Sequence, residues 1–180
     1  AINMGIRPIA VGTSVQINDS IRVQAFPTEH RVHSQGYAVF HRGPRRLNEN
    51  YAELPLETIK QLVKNPPSDL YTREEETLEF VYTGDTTFKG LLNPEIRWIF
   101  SAAIFVTEAT YVDGEQSRAL RFSHIHLLDI AQQDALFANT GALLLVHMSA
   151  RYNESFILAQ AMKILPPTIA QKTHLALRAF

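Results

Sequence analysis

The stretch LEFVYTGD, residues 78–85, joins an apolar strand to a polar turn that ends in a carboxylate. Two later stretches have the same design: AIFVTEAT (103–110) contains Glu108 where its apolar run ends, and GALLLVHMS (141–149) contains His147. In α/β sheets, ligands bind beyond the carboxyl ends of the strands. Three polar side chains at that edge therefore predict a metal site or an acid–base site.

Helical patterns alternate with these strands, which predicts an α/β layered fold with helices packed on a sheet. We expect one domain over residues 1–180, with a hairpin turn at Asn18-Asp19 and a loop over residues 41–54. The predicted helices are 54–65, 93–102, 126–139 and 154–165, and the other predicted strands are 9–12, 14–17, 21–26, 36–40 and 173–180.

The composition is typical of a globular domain, with 46% hydrophobic and 19% charged residues in a chain of 180. The net charge of -1 gives no global electrostatic argument for nucleic acid or membrane. No apolar run reaches the roughly 20 residues that span a bilayer, so we expect no membrane partner. Cysteine is absent, so any metal must be held by His, Asp or Glu. This absence fits a reducing compartment, and the expected location is the cytoplasm.

Each of the polar residues also has an ordinary structural explanation. Asp85 follows a glycine and fits a turn or a helix cap, and a histidine such as His147 is often a hydrogen-bonded structural residue. Three such residues on successive strand ends, with His30 and His124 in polar contexts, leave a site and a structural role about equally favoured.

Six segments together resemble a known family. EHRVHSQGYAVF, YTGDTT, TEATY, SHIHLLDIA, LLLVHMSARY and LPPTIAQKTHLALRAF have the order and approximate spacing of the carboxyl-terminal part of ribonuclease Z, best matched in its short form. Ribonuclease Z is the tRNA 3′-processing endonuclease of the metallo-β-lactamase superfamily. The resemblance implies an αββα sandwich and phosphodiester hydrolysis by a metal-bound hydroxide, with precursor tRNA as the partner and a homodimer as the assembly.

The resemblance also implies a role for each matching residue. His30, Asp85 and His147 resemble metal ligands, with Asp85 as the carboxylate that bridges two metals. Zinc is the implied cofactor, two ions in a complete site, although other divalent metals would fit. Glu108 and His124 resemble the pair that transfers a proton to the leaving ribose oxygen, because a histidine oriented by a carboxylate suits that task.

The chain departs from the family in one serious respect, because the motif His-x-His-x-Asp-His is nowhere in its sequence. By the family pattern, the chain therefore lacks the amino-terminal part of the fold. We expect weak or no metal binding and no catalysis by the isolated chain, unless another chain supplies the missing half.

Several features leave alternatives open. Ser149 and Arg151 are candidates for contact with a phosphate, although Arg151 could equally pair with a carboxylate. The cations of HRGPRR (41–46) could contact RNA, but a solvated loop is favoured about two to one. The parent protein could instead hydrolyse thioesters or small phosphodiesters, because the fold is shared across these chemistries. The chain could also be a non-catalytic fragment.

The stretch SHIHLLDIAQQ (123–133) nearly repeats a metal motif, but its aspartate stands one place too late. In the family pattern this position holds the catalytic histidine, His124. We therefore expect His126 to support the start of a helix and Asp129 to be a first-turn acid favoured by the helix dipole.

Overall fold

The computed structural model describes residues 8–64, 71–114 and 116–177. Nine strands lie within these residues: β1 (Ser14–Gln16), β2 (Ile21–Pro27), β3 (Gln35–Arg42), β4 (Arg46–Leu47), β5 (Thr72–Arg73), β6 (Glu76–Tyr82), β7 (Ile104–Glu108), β8 (Ala142–Val146) and β9 (Thr173–Leu175).

The described helices are short and mostly fall between the strands of the carboxyl-terminal half. They are α1 (Glu49–Ala52), α2 (Leu56–Lys64), α3 (Phe88–Leu91), α4 (Gln116–Phe122), α5 (Leu127–Gln132), α6 (Glu154–Ile164) and α7 (Pro167–Ala170). Two further segments, Pro94–Ser101 and Asp134–Phe137, are 3₁₀-helical. No helix of the described residues has the length and apolar character to cross a bilayer.

Seven strands form the main sheet in the order β1-β2-β3-β6-β7-β8-β9, and β4 pairs with β5 in a separate ribbon. The sheet is antiparallel from β1 to β6 and parallel from β6 to β9. Because β3 runs opposite to both β2 and β6, the strands β2, β6, β7 and β8 all point the same way. Their four carboxyl ends therefore meet at one edge of the sheet.

The core lies on one face of this sheet, where the helices pack against alternate strand residues. Phe105 on β7 stacks on Phe100 with ring centroids 5.3 Å apart, and Phe137 meets both rings edge-on. The opposite face is only partly covered, since Tyr82 and Ile104 are 42% and 44% exposed. The described residues thus form one large sheet with its helices rather than two stacked sheets, which agrees with the prediction of a partial αββα sandwich.

Two local predictions are confirmed: the turn at Asn18-Asp19, and a helix N-cap at Asn93, which Asn93-Pro94 at the start of the predicted helix 93–102 indicates. Asn18 Oδ1 accepts from the N–H groups of Ser20 and Ile21 at 3.0 and 2.9 Å, which closes the predicted turn between β1 and β2. Asn93 caps the next segment through the N–H of Glu95 at 3.1 Å, although that segment is 3₁₀-helical.

Other secondary-structure predictions were wrong. Residues 9–12 are not a strand, because Gly12 turns the chain at a φ of +79°. The predicted helix 126–139 breaks after α5, where Gln133 leaves helical geometry. Helix α4 was not predicted, and the predicted loop 41–54 contains β4 and α1. The sequence also predicts that Tyr82, like Trp98, Phe100 and Phe105, lies in the core, but Tyr82 is 42% exposed.

Two predicted elements lie partly outside the described residues. This applies to residue 65 of the predicted helix 54–65 and to residues 178–180 of the predicted strand 173–180. The single domain over residues 1–180 stays a prediction for the same reason.

Candidate active site

The sheet topology brings four of the predicted site residues to one edge. His30 lies in the loop after β2, Asp85 follows β6, Glu108 ends β7 and His147 follows β8. These are the four strands whose carboxyl ends coincide. Residues separated by up to 117 positions therefore meet because of strand order and direction, as expected for a ligand site in an α/β sheet.

His124 reaches the same edge from the loop between α4 and α5. Its N–H donates to Ala119 O at 2.9 Å, and the preceding Ser123 has a left-handed φ of 60°. This unusual backbone turns the chain sharply after α4. The His124 ring lies between two other histidines, with its centroid 5.0 Å from that of His30 and 5.4 Å from that of His147.

The Glu108 carboxylate is 1% exposed and accepts hydrogen bonds from four groups. The backbone N–H of Thr86 donates at 2.8 Å, that of Ile125 at 3.2 Å, and the Thr110 hydroxyl at 2.5 Å. The fourth donor is His124 Nδ1, which lies 2.9 and 3.0 Å from the two oxygens. This contact fixes the His124 ring through Nδ1, and Nε2 has no hydrogen-bond partner among the described residues; the side chain is 16% exposed.

His30 is oriented for coordination through its other ring nitrogen. Its Nδ1 lies 2.8 Å from the carbonyl oxygen of Ser123, and because a carbonyl only accepts, Nδ1 carries the proton. Nε2 therefore keeps a lone pair, as in metal-binding histidines whose second nitrogen donates to a backbone carbonyl. Two hydrogen bonds of the Glu29 backbone hold the loop. The Glu29 carbonyl oxygen accepts from Thr87 N at 2.7 Å, and the Glu29 N–H donates to Thr86 Oγ1 at 3.0 Å.

Asp85 and His147 are the more open members of the cluster. Their side chains are 43% and 50% exposed, and Asp85 Oδ1 lies 3.4 Å from His147 Nδ1. Both sit at unusual backbone positions, since His147 has a φ of 59° and Gly84, just before Asp85, has a φ of 64°. Such left-handed residues are often retained where a side chain must be aimed at a site.

The side chains of this edge fit a divalent cation in their chemistry. Two groups of three have ligand atoms that all lie within 4.8 Å of one another: His30 with Asp85 and His124, and Glu108 with His124 and His147. His124 belongs to both groups, so the structure does not separate it from the predicted ligands. Neutral imidazole nitrogens and a half-exposed carboxylate are donors that zinc and similar cations accept.

His126 cannot serve as a ligand in this conformation, because both of its ring nitrogens are used. Nδ1 accepts from Leu128 N at 3.0 Å, and Nε2 contacts the carbonyl oxygen of Asp113. Asp129 accepts from the His126 N–H at 3.1 Å, which completes a capping box at the start of α5. The predicted structural roles of His126 and Asp129 are thus confirmed.

Ser149 and Arg151 follow His147 but do not join the cluster. Arg151 Nη2 lies 3.0 Å from the Tyr152 hydroxyl and 3.7 Å from Asp113 Oδ2. Burial, aided by a hydrogen bond to Asp113, raises the pKa of Tyr152 to about 12. This geometry supports the structural alternative for Arg151, and the phosphate contact of Ser149 and Arg151 stays a prediction.

The cationic loop 41–46 is partly neutralised by acidic neighbours. Glu74 lies 2.8 Å from Arg45 and 3.5 Å from Arg42, in ion pairs on the protein surface. Since Arg42 ends β3 at the edge opposite to the site, this loop is far from the cluster along the sheet. The structure therefore favours a solvated loop over an RNA contact for residues 41–46.

Sequence reasoning missed the groups that orient the predicted residues. Thr110 contacts both Glu108 and His147, and it lies in the TEATY segment without having been assigned a role. The donors from Thr86 and Ile125 are backbone N–H groups. Every residue except proline has such a group, so no sequence signal could have identified these two.

The comparisons with known proteins point to one family of relatives, although no protein-family model matches the sequence. The chain is 30% identical over 165 residues to the chloroplastic tRNase Z TRZ2 of Arabidopsis thaliana and 31% identical over 172 residues to tRNase Z TRZ1 of the same plant. It is 28% identical over 184 residues to a ribonuclease Z of Bacteroides fragilis.

These alignments cover 91%, 94% and 92% of the chain but only 46%, 60% and 59% of the relatives, respectively. The chain thus spans about half the length of the curated relatives it matches.

Two solved structures have a similar fold. The short form of human tRNase Z matches with a TM-score of 0.52 and 18% identity, over 93% of this chain and 44% of that one. The metallo-β-lactamase fold protein YhfI of Bacillus subtilis matches with a TM-score of 0.55 and 15% identity, over 96% of this chain and 53% of that one. The chain is therefore a homologue of the ribonuclease Z proteins that matches about half of their length and shares the metallo-β-lactamase fold.

Proposed function

We propose that this chain supplies part of the active site of a metal-dependent endoribonuclease of the ribonuclease Z type. The substrate is precursor tRNA, and the reaction is hydrolysis of a phosphodiester bond at its 3′ end. The observation that carries the proposal is the convergence of His30, Asp85 and His147, which have the chemistry of metal ligands, on His124 and the buried Glu108. The relatives with the names tRNase Z and ribonuclease Z indicate which reaction this arrangement serves.

In this proposal His30, Asp85 and His147 bind divalent cations. A pair of bound cations lowers the pKa of a water and stabilises the charge that develops on a phosphate. Zinc is the favoured ion, because the ligands are imidazoles and a carboxylate in a chain without cysteine. Three ligands are too few for two cations, so we propose that the others come from sequence beyond this chain or from another chain.

The pair Glu108–His124 then acts as the proton donor. Glu108 holds His124 Nδ1, so Nε2 is the ring nitrogen that remains for contact with the substrate. From Nε2 the imidazolium gives its proton to the ribose 3′-oxygen as that oxygen leaves. Ser149 and Arg151 are proposed to contact a neighbouring phosphate, which requires Arg151 to turn away from Asp113.

The proposal extends to the assembly and its location. We propose a homodimer in the cytoplasm, on the resemblance of the six segments to the family and on the absence of cysteine. Sedimentation analysis checks the dimer, and a fluorescent fusion checks the compartment, for which the chloroplastic name of one relative provides a defined alternative.

Cleavage of a precursor tRNA with a 3′ trailer tests the proposed function. The longest natural polypeptide that contains this sequence should make one cut and leave a 3′-hydroxyl. Asp85→Ala should abolish the cut and the binding of zinc, measured by titration calorimetry. The matched control is Asp19→Ala, because Asp19 lies in the turn before β2 at the opposite edge of the sheet. Cleavage by Asp85→Ala at the rate of the control would refute the proposal.

A further inference from the structure

Thr110 connects the two parts of the candidate site through one hydroxyl group. Its Oγ1 lies 2.5 Å from Glu108 Oε2 and 3.0 Å from His147 Nδ1, and the residue is 7% exposed. Glu108 belongs to the proposed proton donor, and His147 is a proposed metal ligand. A single buried side chain therefore contacts both.

The direction of these hydrogen bonds follows from counting protons. The hydroxyl of Thr110 has one proton, and an ionised carboxylate can only accept, so Thr110 donates to Glu108. Its lone pairs then face His147 Nδ1, which must carry a proton to donate. The other neighbour of Nδ1, Asp85 Oδ1 at 3.4 Å, is an acceptor as well. Both contacts place the proton on Nδ1 and leave the lone pair on Nε2.

Without the Thr110 hydroxyl, the balance between these two acceptors changes. Asp85 would then be the acceptor nearest to His147 Nδ1 among the described residues. The imidazole would turn toward that carboxylate and occupy an oxygen that a cation needs. Asp85 would thus lose an oxygen for cation binding, because that oxygen would be paired with His147.

We propose that Thr110 is a positioning residue that holds the Nδ1 proton of His147 and thereby keeps Asp85 free to bind a cation. The proposal rests on the assignment of His147 and Asp85 as ligands in the proposed function. It adds a residue that neither binds the metal nor touches the RNA. Groups that orient a ligand in this way typically contribute about ten- to a hundredfold to metal affinity.

A purely structural role for Thr110 makes a different prediction. The carbonyl oxygen of Thr110 accepts from Ser149 N at 3.0 Å, and this backbone contact would survive any change of side chain. Valine has nearly the same shape as threonine but lacks the hydroxyl. If packing alone mattered, Thr110→Val would leave His147, Asp85 and metal binding as they are.

The test compares Thr110→Val, Thr110→Ser and Thr107→Val. Serine keeps the hydroxyl at position 110. Thr107 lies on β7, three residues before Thr110, is fully buried and accepts a hydrogen bond from Thr83 Oγ1 at 2.9 Å, so its valine variant controls for loss of a buried hydroxyl. Nuclear magnetic resonance spectra that correlate ring nitrogens with their protons show which nitrogen of His147 carries the proton. The spectra are recorded without metal at about pH 8.5, where histidine is ordinarily neutral.

We expect the wild-type His147 to carry its proton on Nδ1. In Thr110→Val the carboxyl carbon signal of Asp85 should shift as the imidazole turns toward it, and zinc should bind about ten- to a hundredfold more weakly. Thr110→Ser and Thr107→Val should resemble the wild type in both respects.

A proton on Nε2 of wild-type His147 would overturn the proposal. So would a Thr110→Val variant whose Asp85 signal is unchanged. If zinc binding is too weak to measure in the 180-residue chain, the two spectroscopic results decide alone. Both are read without RNA, so failure of the proposed cleavage reaction would be seen separately.

Discussion

Two carboxylates lie at the same edge of the sheet and are held in opposite ways. Glu108 is 1% exposed and accepts from four donors, two of which are backbone N–H groups. The Asp85 side chain is 43% exposed, and its one ion-pair contact within the described residues is with His147. The two residues are of the same chemical type but differ in how much of their bonding capacity the protein uses.

This difference indicates what each carboxylate can do. An acceptor whose oxygens are all occupied by protein donors can orient a neighbour, as Glu108 orients His124, but has little capacity left for a cation. Asp85 keeps more of its oxygen lone pairs available, because its side chain is 43% exposed and has a single ion-pair contact among the described residues. Burial and hydrogen bonding therefore distinguish an orienting carboxylate from one that has the capacity to bind a cation.

The largest expected effect is on the stability of the metal-free chain. Glu108→Ala removes the acceptor of four buried or partly buried donors and should lower the free energy of unfolding by about 3–5 kcal/mol. Asp85→Ala removes a half-exposed side chain and should change it by less than about 0.5 kcal/mol. Urea denaturation followed by circular dichroism measures both. Equal losses for the two variants would show that the contrast between the carboxylates is not real.

A medium effect on stability is expected from substitution of His126, and comparison with His124 extends the contrast from carboxylates to imidazoles. His126→Ala removes the cap of α5 and should cost about 1–2 kcal/mol of unfolding free energy. His126→Asn should recover most of this loss, because asparagine is a good capping residue. In contrast, His124→Ala should abolish cleavage and leave stability closer to the wild type. Thermal unfolding and precursor-tRNA cleavage, measured side by side, decide between these outcomes.

The smallest effect is expected at Glu76, a surface carboxylate that forms an ion pair with Arg22. Arg22 donates to its two oxygens at 3.0 and 2.6 Å and holds the pKa of Glu76 below its usual value of 4.5. A lowered pKa stabilises the fold above pH 4.5, and this contribution is lost as the pH falls from 4.5 through the lower pKa of the folded state.

Between neutral pH and that range, the wild type should lose more unfolding free energy than Glu76→Gln, by less than about 1 kcal/mol. Denaturation of both proteins at several pH values provides the measurement. An identical dependence on pH would mean that the pair of Arg22 and Glu76 contributes nothing to stability. The difference in stabilisation between the surface carboxylate Glu76 and the buried carboxylate Glu108 would then be larger than expected.

Much of the strand pattern could be predicted from the sequence, and so could the five residues that the structure brings together in the candidate site. Strands β6, β7 and β8 consist of apolar runs that end in polar residues, and this signal is local. The left-handed position of Gly84 and the caps at Asn93 and His126 also have local causes, because backbone geometry and nearby N–H groups determine them.

The failures have a different origin. Helix α4 has few buried residues, so its sequence lacks a strong apolar period. Tyr82 alternates correctly along β6 but faces the partly covered side of the sheet, and an apolar face does not reveal from sequence what covers it. The position of His124 between His30 and His147 depends on the turn at Ser123, whose left-handed φ a serine gives no reason to expect.

The sequence by itself determined three local properties: which strands end in polar side chains, which residues are candidates for a metal or acid–base site, and which helix starts are capped. These properties depend on neighbours within a few positions along the chain. Only the tertiary structure decided that the ends of β2, β6, β7 and β8 coincide, that Glu108 is saturated while Asp85 is open, and that Thr110 lies between Glu108 and His147. The physical reason is that strand order, burial and hydrogen-bond partners depend on residues tens of positions apart, which come together only when the sheet forms.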